Sequence, residues 1–483
     1  MENALVTSAI LITISRKSSL LYLDVIFITI CIFCCILQVL PADFPKKWTK
    51  RFRPGSQFVF QYGCVVYPMV LSLSSFTLDD VMNSIICSLI SLCFVIVISN
   101  FNIVLKLVLK LFVVGLTTYC IFNTNILYSQ LIFKICAFCI FFAICFYAIP
   151  GSFTLGEGIL VCQMLTSIYD YELVLFMTSA VNIVAVSMSL ANTVLFFVTF
   201  SILFFLLLPS LSKESIFYSV GFLFIITAVY NHWLAMIVLE ALKFMMQKSF
   251  HRFSLLLYWA SLVCASVGFV SQRHSLDSAS TSERKVFHIF ILLVYIPGLI
   301  CDTPLLYLCS VIACSLFGLL GVIHAFRIKP LGEVLDKSLR LFTSKQDTGT
   351  FILTPIYLLL GLSYPVWLCC MKYPSLLENT TKAIPKEGYS GILSVGVGDA
   401  VASVVGSKYG AIRFTGSGKT VEGTISSMLV QFLIVLGIHY VNFININSIV
   451  SIIFAICLTS LAEAYTDQID NLVLPLLMYL LLT

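Results

Sequence analysis

Charged side chains are scarce in this chain: Lys and Arg number 28, Asp and Glu 23, and together they make up 11% of 483 residues. A soluble domain carries about 25% charged residues and about 45–50% apolar ones. So few charges cannot cover a water-facing surface, which excludes ordinary soluble, fibrous and disordered classes. The sequence also lacks a long polar domain, a low-complexity tract and a tandem repeat. Its net charge of +5 is too small for a nucleic-acid binder and fits a bias of Lys and Arg toward cytoplasmic loops. What the chain has is apolar surface: 60% of its residues are hydrophobic and the mean hydropathy is +1.03. This composition predicts an all-α, polytopic membrane helix bundle.

A span needs about 20 apolar residues, and by that measure the chain holds roughly 14 candidates. The clearest cover 20–40, 81–100, 126–149, 216–238, 304–326, 351–371 and 424–445. The run 172–211 is about twice the length of one span, and its Asn182 and Asn192 do not locate a break. The segment 153–170 contains Glu157 and Asp170 and reads as interfacial or re-entrant. The apolar stretch "ALVTSAILITI" follows no basic residue and precedes further spans, so a cleaved signal peptide is not expected. Cys136 and Cys139 form a CxxC inside an apolar run without a second ligand pair. Packed or lipid-facing thiols are the expectation there, rather than a zinc or redox site.

The polar loops are short and mostly basic. "KKWTKRFR" (46–53), 272–285 (Arg273, Arg284, Lys285), 327–350 (Arg327, Lys329, Lys337, Arg340, Lys345, with Asp347) and 407–423 (Lys408, Arg413, Lys419) read as cytoplasmic. Loop 372–388 holds Asn379-Thr380-Thr381, a glycosylation-acceptor pattern suited to a lumenal loop. The intervening spans then bring Glu463, Asp467 and Asp470 to the same cytoplasmic face as Lys419.

Polar groups at membrane level are costly and mark functional candidates. They gather in the C-terminal half, which divides the chain into 1–240, spans of unassigned role, and 241–483, a catalytic region. The run 394–424, "SVGVGDAVASVVGSKYGAIRFTGSGKTVEGT", carries Gly398-Asp399 on an apolar helix. It opens into a glycine-rich loop with Lys408, Arg413 and Lys419 and closes on Glu422. Glycines let backbone N–H groups approach phosphate oxygens, Arg and Lys neutralise them, and a nearby acid can hold Mg²⁺ against them. "GSGKT" resembles the tail of a Walker loop, but Arg413 stands where that loop needs Gly. Close helix packing is the competing explanation for the glycines. Asp399, Arg413, Lys419 and Glu422 together favour a phosphate–metal site. A second cluster, Glu463, Asp467 and Asp470, is spaced i, i+4, i+7 and would share one helical face. A third patch, "SERKVFH", sets Arg284, Lys285 and His288 on one face at the start of a span.

These residues resemble a family. "VGVGDAVASVVGSKYGAIRFTGSGKTVEGT" is similar to the CTP-binding segment of eukaryotic dolichol kinases. "SERKVFH…YIPGL", "FRIKPLG", "TPIYLLLGLSYPVWL" and "EAYTDQIDNLVLPL" are similar to its other hallmark stretches, in the same order. The resemblance covers about 281–477 and departs from the family at Gly418, where a second Lys is usual, and at Gly321 and His324, which replace an acidic residue and an Arg. It implies a multi-pass enzyme of the endoplasmic reticulum membrane with a cytosolic active site. Such an enzyme transfers the γ-phosphate of CTP to dolichol in the bilayer and so supplies dolichyl phosphate for protein glycosylation. It implies Mg²⁺ held at Asp399, with Glu463, Asp467 and Asp470 as further metal or base candidates. Lys419 and Arg413 are expected on the β,γ-phosphates, with Gly398, Lys408, Gly416, Ser417, Gly418 and Thr420 around the nucleotide. Glu422 is expected to orient Lys419 or a metal-bound water, and Lys285 and His288 to contact phosphate. A phosphatidate cytidylyltransferase-like enzyme is the alternative, and a secondary transporter a remote one. A transporter predicts ionisable residues in mid-span in two pseudo-symmetric halves.

Overall fold

The structure, a computed structural model, describes residues 1–16, 21–39, 45–53, 59–74, 78–122, 128–168, 183–230, 233–273, 281–339, 351, 353–373, 375–378, 384–441 and 448–483. Nearly all of these residues are helical, and the described residues contain no β-strand, only an isolated bridge between Arg413 and Thr420. In lipid every backbone polar group must be satisfied within the protein, which a helix does locally. Nine described helices are long and apolar enough to cross a membrane, and six shorter apolar helices accompany them. The expected runs return as helices Leu21–Val39, Leu78–Ile98, Thr303–Ala325, Thr354–Lys372 and Val421–Tyr440. The run 216–238 is instead shared between Lys213–Tyr230 and Trp233–Gln247. Asp170, Asn182, Asn379-Thr380-Thr381, Arg340, Lys345 and Asp347 lie outside the described residues, as do the side chains of Arg273, Arg284 and Lys337.

Ten helices position the site: α1 (Glu2–Arg16), α2 (Leu155–Ile168), α3 (Ser249–Arg273), α4 (Thr281–Cys301), α5 (Thr303–Ala325), α6 (Thr354–Lys372), α7 (Ala400–Tyr409), α8 (Val421–Tyr440), α9 (Ile449–Tyr465) and α10 (Asp470–Leu482). The innermost is α10, buried at every position from Asn471 to Leu482. A helix that is apolar all round belongs inside a bundle, and α6, α9 and α1 pack around it. At the periphery, the span Ile103–Ile121 is only 17% buried and presents Ile103, Leu107 and Leu111 outward, as a lipid-facing helix does. The segment read as interfacial or re-entrant forms α2, which lies within the bundle: Leu155, Glu157, Leu160 and Gln163 are all buried.

Immediately before α7 the backbone is wound as a π-helix from Ile392 to Asp399. Such wide turns inside helices recur at functional sites. The segment packs against α4 and α8, and α7 packs on α8. Gly321, one of the departures from the family pattern, is a packing glycine: a Cβ there would lie 2.4 Å from the Phe351 ring.

Candidate active site

Polar groups from several elements meet at one cavity of about 1370 Å³. Lys285 and His288 stand one turn apart near the start of α4 and so share a face. Asp399 ends the π-wound segment, Lys419 lies in the loop between α7 and α8, Glu463 lies in the last turn of α9, and Asp470 opens α10. Lys285 Nζ is ion-paired with Asp399 Oδ2, and His288 Nε2 lies 3.2 Å from the same oxygen. Opposite them, Lys419 Nζ donates to Glu463 Oε1 at 2.8 Å and lies 3.9 Å from Asp470 Oδ2. Burial opposes the charge of the Lys419 ammonium, but Glu463, Asp470 and Asp399 outweigh it and hold its pKa above the ordinary lysine value. Lys419 is therefore a fixed positive charge.

The loop carrying Lys419 is a small hairpin. Arg413 bridges Thr420, Phe414 N donates to Lys419 O at 3.1 Å, and Val421 N donates to Ile412 O at 2.9 Å. Gly416 sits in the hairpin with φ +80°, a conformation that a residue with a Cβ rarely adopts. Thr420 caps α8 by accepting from Gly423 N at 3.3 Å. The Glu422 carboxylate accepts from Ile412 N at 3.0 Å, which closes the base of the hairpin.

The cavity wall contains Lys285, His288, Asp399, Arg413, Gly418, Lys419, Thr420, Glu463 and Asp470 among the residues expected from sequence. Gly398, Lys408, Gly416, Ser417, Glu422 and Asp467 are not on it. Gly398 serves packing, since a Cβ there would lie 2.7 Å from the Gln431 side-chain nitrogen. Lys408 points to the exposed surface, and Ser417 Oγ accepts from Lys419 N within the hairpin. The Glu422 carboxylate accepts from the hairpin backbone at Ile412 N, and no ion pair joins it to Lys419 among the described residues.

The shared helical face of Glu463, Asp467 and Asp470 does not form. Helix α9 ends at Tyr465, residues 466–469 are non-helical, and α10 starts at Asp470. Glu463 and Asp470 still meet, through Lys419, whereas the Asp467 side chain is exposed. Polar wall residues that were not anticipated include Ser403 and Ser407 on α7, Thr424 on α8 and Asn471 on α10. The i, i+4 spacing of the two serines on a helix of small residues is the sequence signal for them.

The other end of the cavity is mostly apolar. Leu262 and Val263 of α3, Phe290 and Val294 of α4, Phe317 of α5 and Leu358 of α6 line it. One continuous space thus joins a charged end to a hydrocarbon-like passage between membrane helices.

Residues 125–428, more than half of the chain, match the protein family described as "Dolichol kinase". The chain belongs to the dolichol kinase family. It is 36% identical to the dolichol kinase of Mus musculus over an alignment of 361 residues that covers 70% of this chain and 66% of the mouse protein. The dolichol kinase of Homo sapiens is 34% identical over 365 residues, with the same coverage of 70% and 66%. The dolichol kinase of Saccharomyces cerevisiae is 25% identical over 250 residues, 51% of this chain and 43% of the yeast protein. The chain thus spans just under two thirds of the length of the mouse and human proteins and less than half of the yeast protein. No solved structure matches it. Within this dolichol kinase family chain, the matched region contains Lys285, His288, Asp399, Arg413 and Lys419.

Proposed function

We propose that this chain is a CTP-dependent dolichol kinase of the endoplasmic reticulum membrane, with its active site open to the cytosol. The observation that carries the reading is the two-ended cavity in a chain of this family. A polyprenol is too apolar to leave the bilayer, so its hydroxyl must be met where a hydrocarbon passage reaches charged groups. The passage between α3, α4, α5 and α6 ends at Lys285, Asp399 and Lys419. Lys408 in the last turn of α7, with Arg413 and Lys419 of the loop that follows, supports the cytosolic side for that end, where CTP is found.

Phosphoryl transfer depends mainly on positioning and charge stabilisation. Lys285, Arg413 and Lys419 on the wall are the groups to hold triphosphate oxygens, and Asp399, Glu463 and Asp470 balance them. Because three cations face three carboxylates, a triphosphate entering the cavity would add uncompensated negative charge. A divalent cation fits this need. Among the described residues no three His, Cys, Asp or Glu side chains form a ready-made metal cage. Mg²⁺ needs none, since it usually takes one or two carboxylates and fills its shell with phosphate oxygens and waters. Asp399, with Glu463 or Asp470, would hold it, and when bound it would neutralise charge building on the β,γ-oxygens. Lys419, always protonated, would stay on the phosphates. The dolichol oxygen forms its bond to the γ-phosphorus as the bond to the CDP oxygen breaks, and the hydroxyl proton passes to a carboxylate of the wall.

The test is isotopic. Membranes carrying the chain, given dolichol, Mg²⁺ and CTP labelled at the γ-phosphate, should yield labelled dolichyl phosphate. Lipid labelled from the α-phosphate with release of pyrophosphate would instead identify a CDP-lipid synthase.

A further inference from the structure

The connection between α9 and α10 is held by residues far from it in sequence. Arg53 Nη2 donates to Asp467 O at 2.9 Å, and Ile469 N donates to Glu157 Oε1 at 2.7 Å. Thr154 Oγ1 donates to Gln468 Oε1 at 2.7 Å, and Thr466 Oγ1 donates to Glu2 Oε1. Every residue of 466–469 is thus fixed by α1, α2 or the segments before α2. Arg53 and Glu157 also pair with each other at 2.6 Å, with side chains only 4% and 0% exposed. The second Glu157 oxygen accepts from Thr154 N at 2.8 Å, and Arg53 N donates to Phe153 O at 2.8 Å. Neither Arg53 nor Glu157 reaches the cavity wall.

An ion pair this deeply buried is a poor source of stability, because desolvating two charges offsets much of their attraction. What this pair does is satisfy two backbone groups of a non-helical turn, a carbonyl and an N–H, that have no helical partner. The turn separates Glu463 from Asp470, the two carboxylates that share Lys419. The N–H held by Glu157 belongs to the residue immediately before Asp470, so the bond sets where α10 begins.

We infer that Arg53 and Glu157 are positioning residues for the phosphate–metal end of the cavity: a clamp from the N-terminal half that holds Glu463 and Asp470 at their separation around Lys419. The inference rests on the kinase reading above and gives the N-terminal half a part in it. The clamp lies off the cavity wall. Its loss should act on the geometry around Lys419 and leave the hydrocarbon passage, built from α3 to α6, as it is.

The experiment uses the full chain in membranes with labelled CTP, dolichol and Mg²⁺. Arg53→Lys and Glu157→Gln should each lower kcat about tenfold or more, since displacing reacting groups by about 1 Å can cost 10²-fold. The KM for dolichol should stay within about twofold, because the passage is untouched. The Mg²⁺ concentration giving half the maximal rate should rise, a change that a smaller amount of folded protein does not produce. If a single variant fails to accumulate, two others carry the test. Thr154→Val removes the Gln468 bond and the acceptor of Glu157 N with little change of shape, and should shift kcat and Mg²⁺ dependence in the same direction by less. Arg53→Leu/Glu157→Leu removes both buried charges but leaves Asp467 O and Ile469 N without these partners, so the folded protein that accumulates should turn over slowly. Ordinary kcat and Mg²⁺ dependence in the accumulating variants, with only protein amount changed, would show that the clamp is structural and overturn the inference. A wild-type chain that forms no dolichyl phosphate from CTP would instead overturn the reading on which it rests.

Discussion

Arg53–Glu157 and Lys419–Glu463 border the same turn, at 2.6 Å and 2.8 Å, and differ in what surrounds them. Around the first, both carboxylate oxygens of Glu157 also accept backbone N–H groups, and the Arg53 side chain is 4% exposed. Around the second, the Lys419 side chain is 36% exposed, borders the cavity and is shared between two carboxylates. The first pair is committed to backbone and has no room to exchange partners. The second can trade a carboxylate for a phosphate oxygen, because its ammonium donates to more than one partner from a fixed place. A basic side chain paired with a glutamate thus makes a frame in one case and a binding surface in the other. Backbone partners and access to the cavity decide which.

The largest test of this contrast is Asp399→Asn. Asp399 faces the cavity with Lys285 and His288 on one oxygen. Removing its charge should lower turnover on the order of 10²-fold or more, as loss of a charge-stabilising group in an active site does. The yield of monodisperse protein should hold, because Lys285 borders the cavity. A loss of yield as large as the loss of rate would place Asp399 with Arg53–Glu157, among the framing groups.

Next in size are Lys419→Met and Glu463→Gln, each expected to cost about tenfold to 10²-fold in kcat, with the double variant little worse than the worse single one. Losses that simply multiply would mean the two act separately. The Lys419 effect should be level with pH. With a pKa raised above the ordinary lysine value, Lys419 keeps its charge below about pH 10 and loses it only as pH climbs through that raised value. The ratio of wild-type to Lys419→Met rates should therefore stay flat from about pH 6 to pH 9.

Arg413 should matter less. Its side chain is exposed at the rim, so Arg413→Ala should raise the KM for CTP by about three- to tenfold with kcat nearly unchanged, and added salt should shrink the difference. A fall in kcat with KM unchanged would move Arg413 from the rim to the reacting phosphate.

How much of this could be read from sequence follows the distance over which each feature is set. The segment from Asp399 to Lys419 was legible because its chemistry is concentrated within a short stretch. The spans were legible where an apolar run stands alone, as in Thr303–Ala325. Local spacing failed at two kinds of place. Gly398 and Gly418 look alike in sequence, but the first faces the Gln431 side chain and the second faces open space. The acidic run failed because i, i+4, i+7 presumes an unbroken helix. The break after Tyr465 is held by Arg53 and Glu157, which stand 414 and 312 residues from the groups they bind. Arg53 sits in a stretch that reads as cytoplasmic charge, and Glu157 in one that reads as interfacial. Only the fold shows them to be partners.

The smallest expected effect, Asp467→Asn, bears most directly on that break. On an unbroken helix Asp467 would stand beside Glu463 and Asp470 and share their cation, and its neutralisation would cost about as much as that of Glu463. In the structure its side chain is exposed and away from the cavity wall, and the clamp holds it by its backbone carbonyl, which the substitution leaves in place. Asp467→Asn should therefore change kcat, the KM for CTP and the Mg²⁺ requirement by less than about twofold, the range in which exposed substitutions away from a site usually fall. Measured beside Glu463→Gln in the same membranes, it separates the two arrangements of the acidic run without relying on absolute activity. Equal losses at both positions would restore the continuous helical face. A near-normal Asp467→Asn enzyme beside a slow Glu463→Gln one would leave Asp470 as the second carboxylate on Lys419, at the spacing that the turn and its clamp impose.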